Sequence, residues 1–365
     1  MTSIKTTLQR PDKPDLETNV PTTAVTIRPA LPRWAPWGAL AASVVVVSGL
    51  LSMIGFSVAL FLLVTVAVFA ALLFTWSSTI EGSRKATDRL VTIAVGSAFL
   101  LALVPLISVV VTVLVNGLER FDLQFFAFSM QGVVGAGGGV YHAITGTLIV
   151  TGLAALMSIP VGLLTAIYLV EYGRGRLAKA ITFFVDVMTG IPSIVAGLFA
   201  YALFALFFGP GVRMGIVGAV ALTVLMIPVV VRSTDEVLKI VPNDLREAAY
   251  ALGVPRWRTI VKVVLPTAIA GIASGVTLAI ARVIGETAPL LITLGITTGT
   301  NLNPFDGRMA SLPVFSYYEY VTPGVPRDPY IDRAWTAALV LIIIVMALSL
   351  TARLIARLFA PRARS

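Results

Sequence analysis

Residues 37–76 read WGALAASVVVVSGLLSMIGFSVALFLLVTVAVFAALLFTW and contain no Asp, Glu, Lys, Arg or His. The charge-free run begins at Trp34 and continues to Ile80. A helix rises about 1.5 Å per residue, so 37–76 as one rod would measure roughly 60 Å, twice the apolar thickness of a bilayer. The run therefore predicts two spans with a turn near Gly55. Its apolar residues follow one another without alternation, which argues against a β-barrel. The whole chain has the same character: 57% of its 365 residues are hydrophobic and the mean hydropathy is +0.93. Only 12% are charged, against about 25% in ordinary soluble proteins. This is the composition of an all-α polytopic membrane protein.

Extending the same reading gives eight spans, near 37–54, 56–76, 90–115, 141–170, 181–208, 214–231, 266–294 and 334–355. Trp34, Trp37, Trp76 and Trp335 fall at span ends, where amphipathic rings prefer to sit. With the N-terminus in the cytoplasm, 21 of the 27 basic residues lie on the cytoplasmic side and five outside, with Arg282 left inside a span. That asymmetry orients both termini to the cytoplasm. It also accounts for the net charge of +9 without a nucleic-acid partner. The chain has no cysteine and one histidine, so disulfides, thiolate metal sites and a histidine-rich metal site are excluded. Residues 1–36 are polar and rich in Thr and Pro; they read as a disordered cytoplasmic tail without a cleavable signal peptide.

One cytoplasmic segment, 233–265, is polar and bent. Within it Asn243 is a cap candidate, strong helix formers follow, Gly253 permits a sharp turn, and Pro255 suits the start of a second helix. Pro266 reads as the point of re-entry into the bilayer. A short helical hairpin buries little by itself. It needs a partner surface, or it is an interfacial connector carrying Trp257, Arg256, Arg258 and Lys262. The chain has no G-x-x-x-x-G-K-[ST] loop, so it does not bind ATP in that manner.

The order Glu247-Ala248-Ala249, then Gly253, then Leu265-Pro266 resembles the EAA loop of ABC importer permeases. Four further stretches, GGGVYHAITGTLIVTG (137–152), DVMTGIPSIVAGLF (186–199), VVVRSTDEVLKIVP (229–242) and ARVIGETAPLL (281–291), are similar to permease subunits of phosphate-specific ABC importers, of the PstA type. The resemblance covers roughly 90–358. It implies a type I ABC importer permease fold, with the hairpin 37–76 added to a six-helix core. It also implies that the EAA loop couples to a cytoplasmic ATPase dimer, which binds the ATP and Mg; this chain carries no cofactor. The further partners implied are a homologous second permease chain, an extracytoplasmic phosphate-binding protein and phosphate itself. The outer loop 296–333, with SYYEYVTPGVPRDPY, is a docking candidate.

In that family the Arg of V-V-R-S-T and the intramembrane Arg and Glu are associated with phosphate passage, which carries to Arg232, Arg282 and Glu286. Arg282 and Glu286 lie four apart, so a continuous helix would put them on one face; a mutual ion pair is the plainer alternative to a gate. Thr189 and Ser193 flank the Gly-Ile-Pro interruption and offer hydroxyls to an oxyanion, or the interruption is a packing kink. GAGGG (135–139) reads as a hinge or close-packing turn, with a phosphate cradle as the alternative, and His142 as hydrogen-bonded structure or simple exposure. Asp186 reads as an interfacial charge. Three rivals stay open at this point: a sulfate or molybdate permease, a proton-coupled secondary transporter using Asp186, Arg282 and Glu286, and a membrane scaffold.

Overall fold

The computed structural model describes residues 29–54 and 57–359, and all regular structure among them is helical. Most of the tail and the turn expected near Gly55 lie outside the described residues. The chain divides into two compact units, with the boundary between Ile107 and Ser108. The first contains α1 (Ala35–Ile54), α2 (Val58–Ile80) and most of α3 (Ser83–Gly117). Glu81, buried in the α2–α3 turn, holds this unit together. Its carboxylate accepts from Arg89 Nε at 2.8 Å and Nη2 at 3.0 Å, from Ser77 Oγ at 2.8 Å, and from the Leu31 backbone N–H at 2.8 Å. Trp34 meets Trp76 edge to face, with ring centroids 5.8 Å apart.

The second unit holds α4 (Leu123–Ala127), α5 (Tyr141–Ile167), α6 (Arg176–Thr189), α7 (Ser193–Phe208), α8 (Gly215–Ile240), α9 (Asn243–Ala251), α10 (Arg256–Thr259), α11 (Leu265–Val283), α12 (Ala288–Thr293), α13 (Leu312–Val321) and α14 (Asp328–Phe359). Two π-helical turns follow α5 and α10, at Tyr168–Tyr172 and Ile260–Val264. The central helix is α8. Its Ala219, Leu222, Met226 and Val230 pack with Val150 and Ala154 of α5 and with Ala279 and Val283 of α11. Small residues let the helices approach closely, as expected where lipid supplies no hydrophobic drive between them. At Gly197 of α7, an added Cβ would sit 2.7 Å from the Pro289 Cα of α12. Only glycine permits that approach.

Among the described residues, seven helices are long and apolar enough to cross a membrane, and α6 with α7 forms a bent eighth candidate. The interruption expected within the span 181–208 is a full break and not a kink: α6 and α7 meet at 108°. Pro192 lacks an N–H and has φ −58° and ψ 137°, so it caps α7 and cannot continue α6. The span expected at 266–294 is displaced. The helix runs from Arg256 to Val283 through the π turn, and Pro266 lies inside it. The wider turn absorbs the backbone bond that proline cannot make. At its far end the helix stops after Val283, and a new helix, α12, begins at Ala288 with Pro289 in its first turn, where a missing N–H is harmless. Glu286 therefore stands in the break before α12, not on one helix face with Arg282.

Candidate functional site: a cavity between interrupted helices

Three interruptions meet at one place. The α6–α7 break supplies Met188, Thr189, Ile191 and Ser193; α8 supplies Leu225, Pro228 and Val229 around its internal proline; the end of α11 supplies Arg282 and Val283, with Glu286 just beyond. They line a cavity of about 190 Å³. Irregular backbone at membrane depth is tolerated where it lines a cavity or is buried in protein. Helices broken at a binding site also aim their ends at the solute. Ser193 is the first residue of the 16-residue α7, so the positive end of that helix begins at the cavity wall.

The structure brings together four of the five path candidates and separates the fifth. Arg282 and Glu286 share the cavity, yet neither forms a salt bridge among the described residues. The mutual ion pair is not formed, because the helix ends between them. Arg282 is exposed in the isolated chain and Glu286 half-buried. The hydroxyl of Thr189 donates to Val185 O at 2.8 Å. Its proton is spent on its own helix, so only Ser193 retains a hydroxyl donor for a solute. Arg232 lies on α8 one turn past Pro228 and forms an ion pair with Asp186 of α6. Both line a second cavity, of about 480 Å³, with Lys179, Asp235 and Lys239. Asp186 is therefore the counter-charge of Arg232 and not part of the first cavity.

At one end of α8 lies the bent segment. Asn243 starts α9 but makes no cap bond to the backbone; its side chain accepts from Arg246 Nη1 at 3.3 Å. Glu247 and Ala248 are exposed, whereas Ala249 is buried. Only Ala248 of the alanine pair is free to meet a partner. Gly253 has φ +73°, a conformation that L side chains rarely adopt. Leu265 is half-buried, and Pro266 is exposed in the first turn of α11. Sequence reasoning missed the anchor of this segment. Arg246 donates to Glu171 Oε1 from Nη2 at 2.8 Å and from Nε at 3.1 Å, and to the carbonyls of Leu238 in α8 and of its C-cap Val241 at 3.0 and 2.7 Å. Glu171 was visible only as an acid at the end of an apolar run.

At the other end of α8, the glycine loop is a collar and not an anion cradle. The N–H groups of Gly139, Val140 and Tyr141 donate to the carbonyls of Ser129, Phe125 and Phe128. The carbonyls of Gly135 and Gly137 accept from Arg333, which is 1% exposed and also donates to Glu319 Oε2 at 2.7 Å. His142 is neither exposed nor hydrogen-bonded among the described residues. It is 1% exposed and packs edge to face on Phe315, with centroids 5.4 Å apart.

Comparisons with known proteins agree with this architecture. A family model described as binding-protein-dependent transport system inner membrane component matches residues 158–365. The phosphate transport system permease protein PstA 1 of Mycobacterium tuberculosis (strain CDC 1551 / Oshkosh) is 45% identical over 284 residues, covering 77% of this chain and 92% of that protein. PstA of Pasteurella multocida (strain Pm70) is 37% identical over 274 residues, covering 74% and 95%. A crystal structure of a bacterial ABC transporter involved in alginate import superposes with a TM-score of 0.53 at 15% identity, covering 74% of this chain and 96% of its own; that likeness concerns the fold. On the family model and these relatives, the chain belongs to the binding-protein-dependent transport system inner membrane components, as a permease of the PstA type.

Proposed function

We propose that this chain is the permease subunit of an ATP-driven phosphate importer and forms half of its membrane pathway. The observation that carries the reading is the cavity where Arg282, Glu286 and Ser193 converge between three interrupted helices, in a chain whose relatives are named phosphate transport permeases. A charge inside a membrane span is costly unless something solvates or pairs it. An Arg282 that has no acidic partner among the described residues and is exposed in the isolated chain needs water, a solute or a second chain beside it. Arginine suits a tetrahedral oxyanion because its planar fork presents several donors. The Glu286 carboxylate in the same cavity keeps anion binding weak, and a conducting site must release its ion as well as admit it. A transient contact or gate fits better than a tight site.

The remaining roles follow from position. Arg232, held by Asp186, guards a second step of the path on the basic side. The α9–α10 hairpin with Glu247, Ala248 and Gly253 docks a cytoplasmic ATPase dimer, which binds ATP and Mg. Both termini face the cytoplasm, as the basic residues imply. A homologous permease chain closes the open side of the cavity. On the extracytoplasmic side, the exposed Arg213 and Arg308 crowd around Gly295. Neither has a salt-bridge partner among the described residues. With the loop 296–333 they offer a cationic face to a phosphate-binding protein.

The test is ATP-dependent phosphate uptake by the reconstituted complex. Arg282→Lys keeps the charge but loses the fork, and is expected to lower uptake at least tenfold while the complex still assembles. Full uptake by this variant removes Arg282 from the path. Equal competition by sulfate or molybdate replaces phosphate with a broader oxyanion as the substrate.

A further inference from the structure

The structure assigns a second mechanical output to the coupling hairpin: Arg246 and Glu171 form a strut that carries the motion of α9 into α5. This rests on the coupling role proposed above. The obvious output of α9 is the helix that follows it in the chain, since α10, the π turn and α11 lead directly to Arg282. Nothing in the sequence connects α9 to α5, which ends about seventy residues earlier and supplies none of the residues lining the first cavity. The connection is made by one guanidinium. Arg246 gives two hydrogen bonds to Glu171, at 2.8 and 3.1 Å, and the side chains are 12% and 6% exposed. The same group holds two carbonyls at the end of α8, Leu238 O and Val241 O, which would otherwise lack partners at a helix terminus. Three elements are thus fixed to a single side chain.

The backbone on the receiving side is unusual in the same place. Glu171 lies in the π-helical turn Tyr168–Tyr172 that ends the α5 helix. The other π turn, Ile260–Val264, also packs against α9. Wide turns of this kind are rare and recur at functional sites. Both helices leading away from the coupling hairpin therefore carry a compliant joint at their first contact with it. Across the α5–α8 interface, movement of α5 reaches Val230 and Met226, the stretch of α8 that includes the cavity-lining Pro228 and Val229. Arg246 and Glu171 are positioning residues: neither touches the cavity, and their effect on transport passes through α5 and α8.

A static brace predicts something different from a strut, and the whole complex in proteoliposomes distinguishes them. Hydrogen exchange at residues 168–172 and 260–264 is measured with and without a non-hydrolysable ATP analogue and Mg. In the natural protein both segments are expected to respond. In Glu171→Gln the response at 168–172 is expected to vanish while that at 260–264 persists, and ATP hydrolysed per phosphate imported is expected to rise at least threefold. An unchanged response at 168–172 in that variant, or none there in the natural protein, overturns the strut. The exchange readout does not depend on the solute, so a natural complex that fails to import phosphate would count against the substrate reading alone.

The chain has no cysteine, which permits a second test even if Glu171→Gln assembles poorly. Glu171→Cys with Arg246→Cys breaks the ion pair, and a short bifunctional thiol reagent rebuilds the link. A strut that moves as a unit is expected to regain its coupling ratio on cross-linking. Arrest of transport by the cross-link would show a contact that must open, and would overturn the proposal.

Discussion

Burial alone does not give a charged side chain its role; what surrounds it does. Glu81 is buried and receives four hydrogen bonds, two of them from Arg89. Those to Arg89 are the largest influence on its carboxyl, which is held down to about 2 against an ordinary 4.5, although desolvation pushes the other way. A lowered carboxyl pKa means that its stabilisation is complete above about 4.5 and is lost as the pH falls toward 2. Glu81→Gln is therefore expected to lower the melting temperature of the purified protein at pH 7. The gap to the natural protein should narrow below pH 4.5; a gap independent of pH would show that the charge of Glu81 is not what holds the turn. Arg282 is the opposite case, exposed and, among the described residues, without an acidic partner. The structure places Arg282 in the last turn of α11. Sequence spacing misplaced Glu286, because four residues make one turn only where the helix continues, and α11 ends at Val283.

Among the elements, the interruptions matter more than the helices. Apolar run lengths located most spans within several residues, since hydrophobicity is summed over a whole segment and tolerates local error. The same sum is blind to direction, so the run over 181–208 concealed a 108° turn that two letters, Gly190 and Pro192, could only suggest. The π turns left no compositional trace, because a turn widened by one residue uses the same apolar side chains. The Arg246–Glu171 pair was illegible for a different reason: its partners are 75 residues apart, and a single sequence does not pair distant charges. Gly253 was legible because a positive φ selects glycine. Its Cβ direction is open space, so Gly253→Val acts only through the backbone, at a cost of about 1–2 kcal/mol. The hairpin should distort while membrane insertion persists. Co-purification of the ATPase subunit should fall severalfold; undiminished attachment with normal uptake would take the turn out of the coupling path.

For the whole molecule, the first two helices are the part that the expected six-helix core does not require. The contacts draw the boundary of the first unit inside α3, after Ile107, and not at the end of α2. The α1–α2 hairpin is nonetheless separable in topology, because removing two spans leaves the orientation of every later one unchanged. The basic residues that orient the rest, from Arg84 and Lys85 through Lys262, are all retained in 77–365. Deleting 1–76 also removes the Leu31 N–H from Glu81 but leaves Arg89 and Ser77 in place, so the turn before α3 keeps its main anchors. Residues 77–365 are expected to insert with the C-terminus on the same face as in the full chain and to assemble with the other subunits. A reporter fused to the C-terminus, active on only one side of the membrane, measures this directly. A reporter that changes sides would show that α1 and α2 together cross an odd number of times, and one of them would then lie along the surface instead of spanning the bilayer.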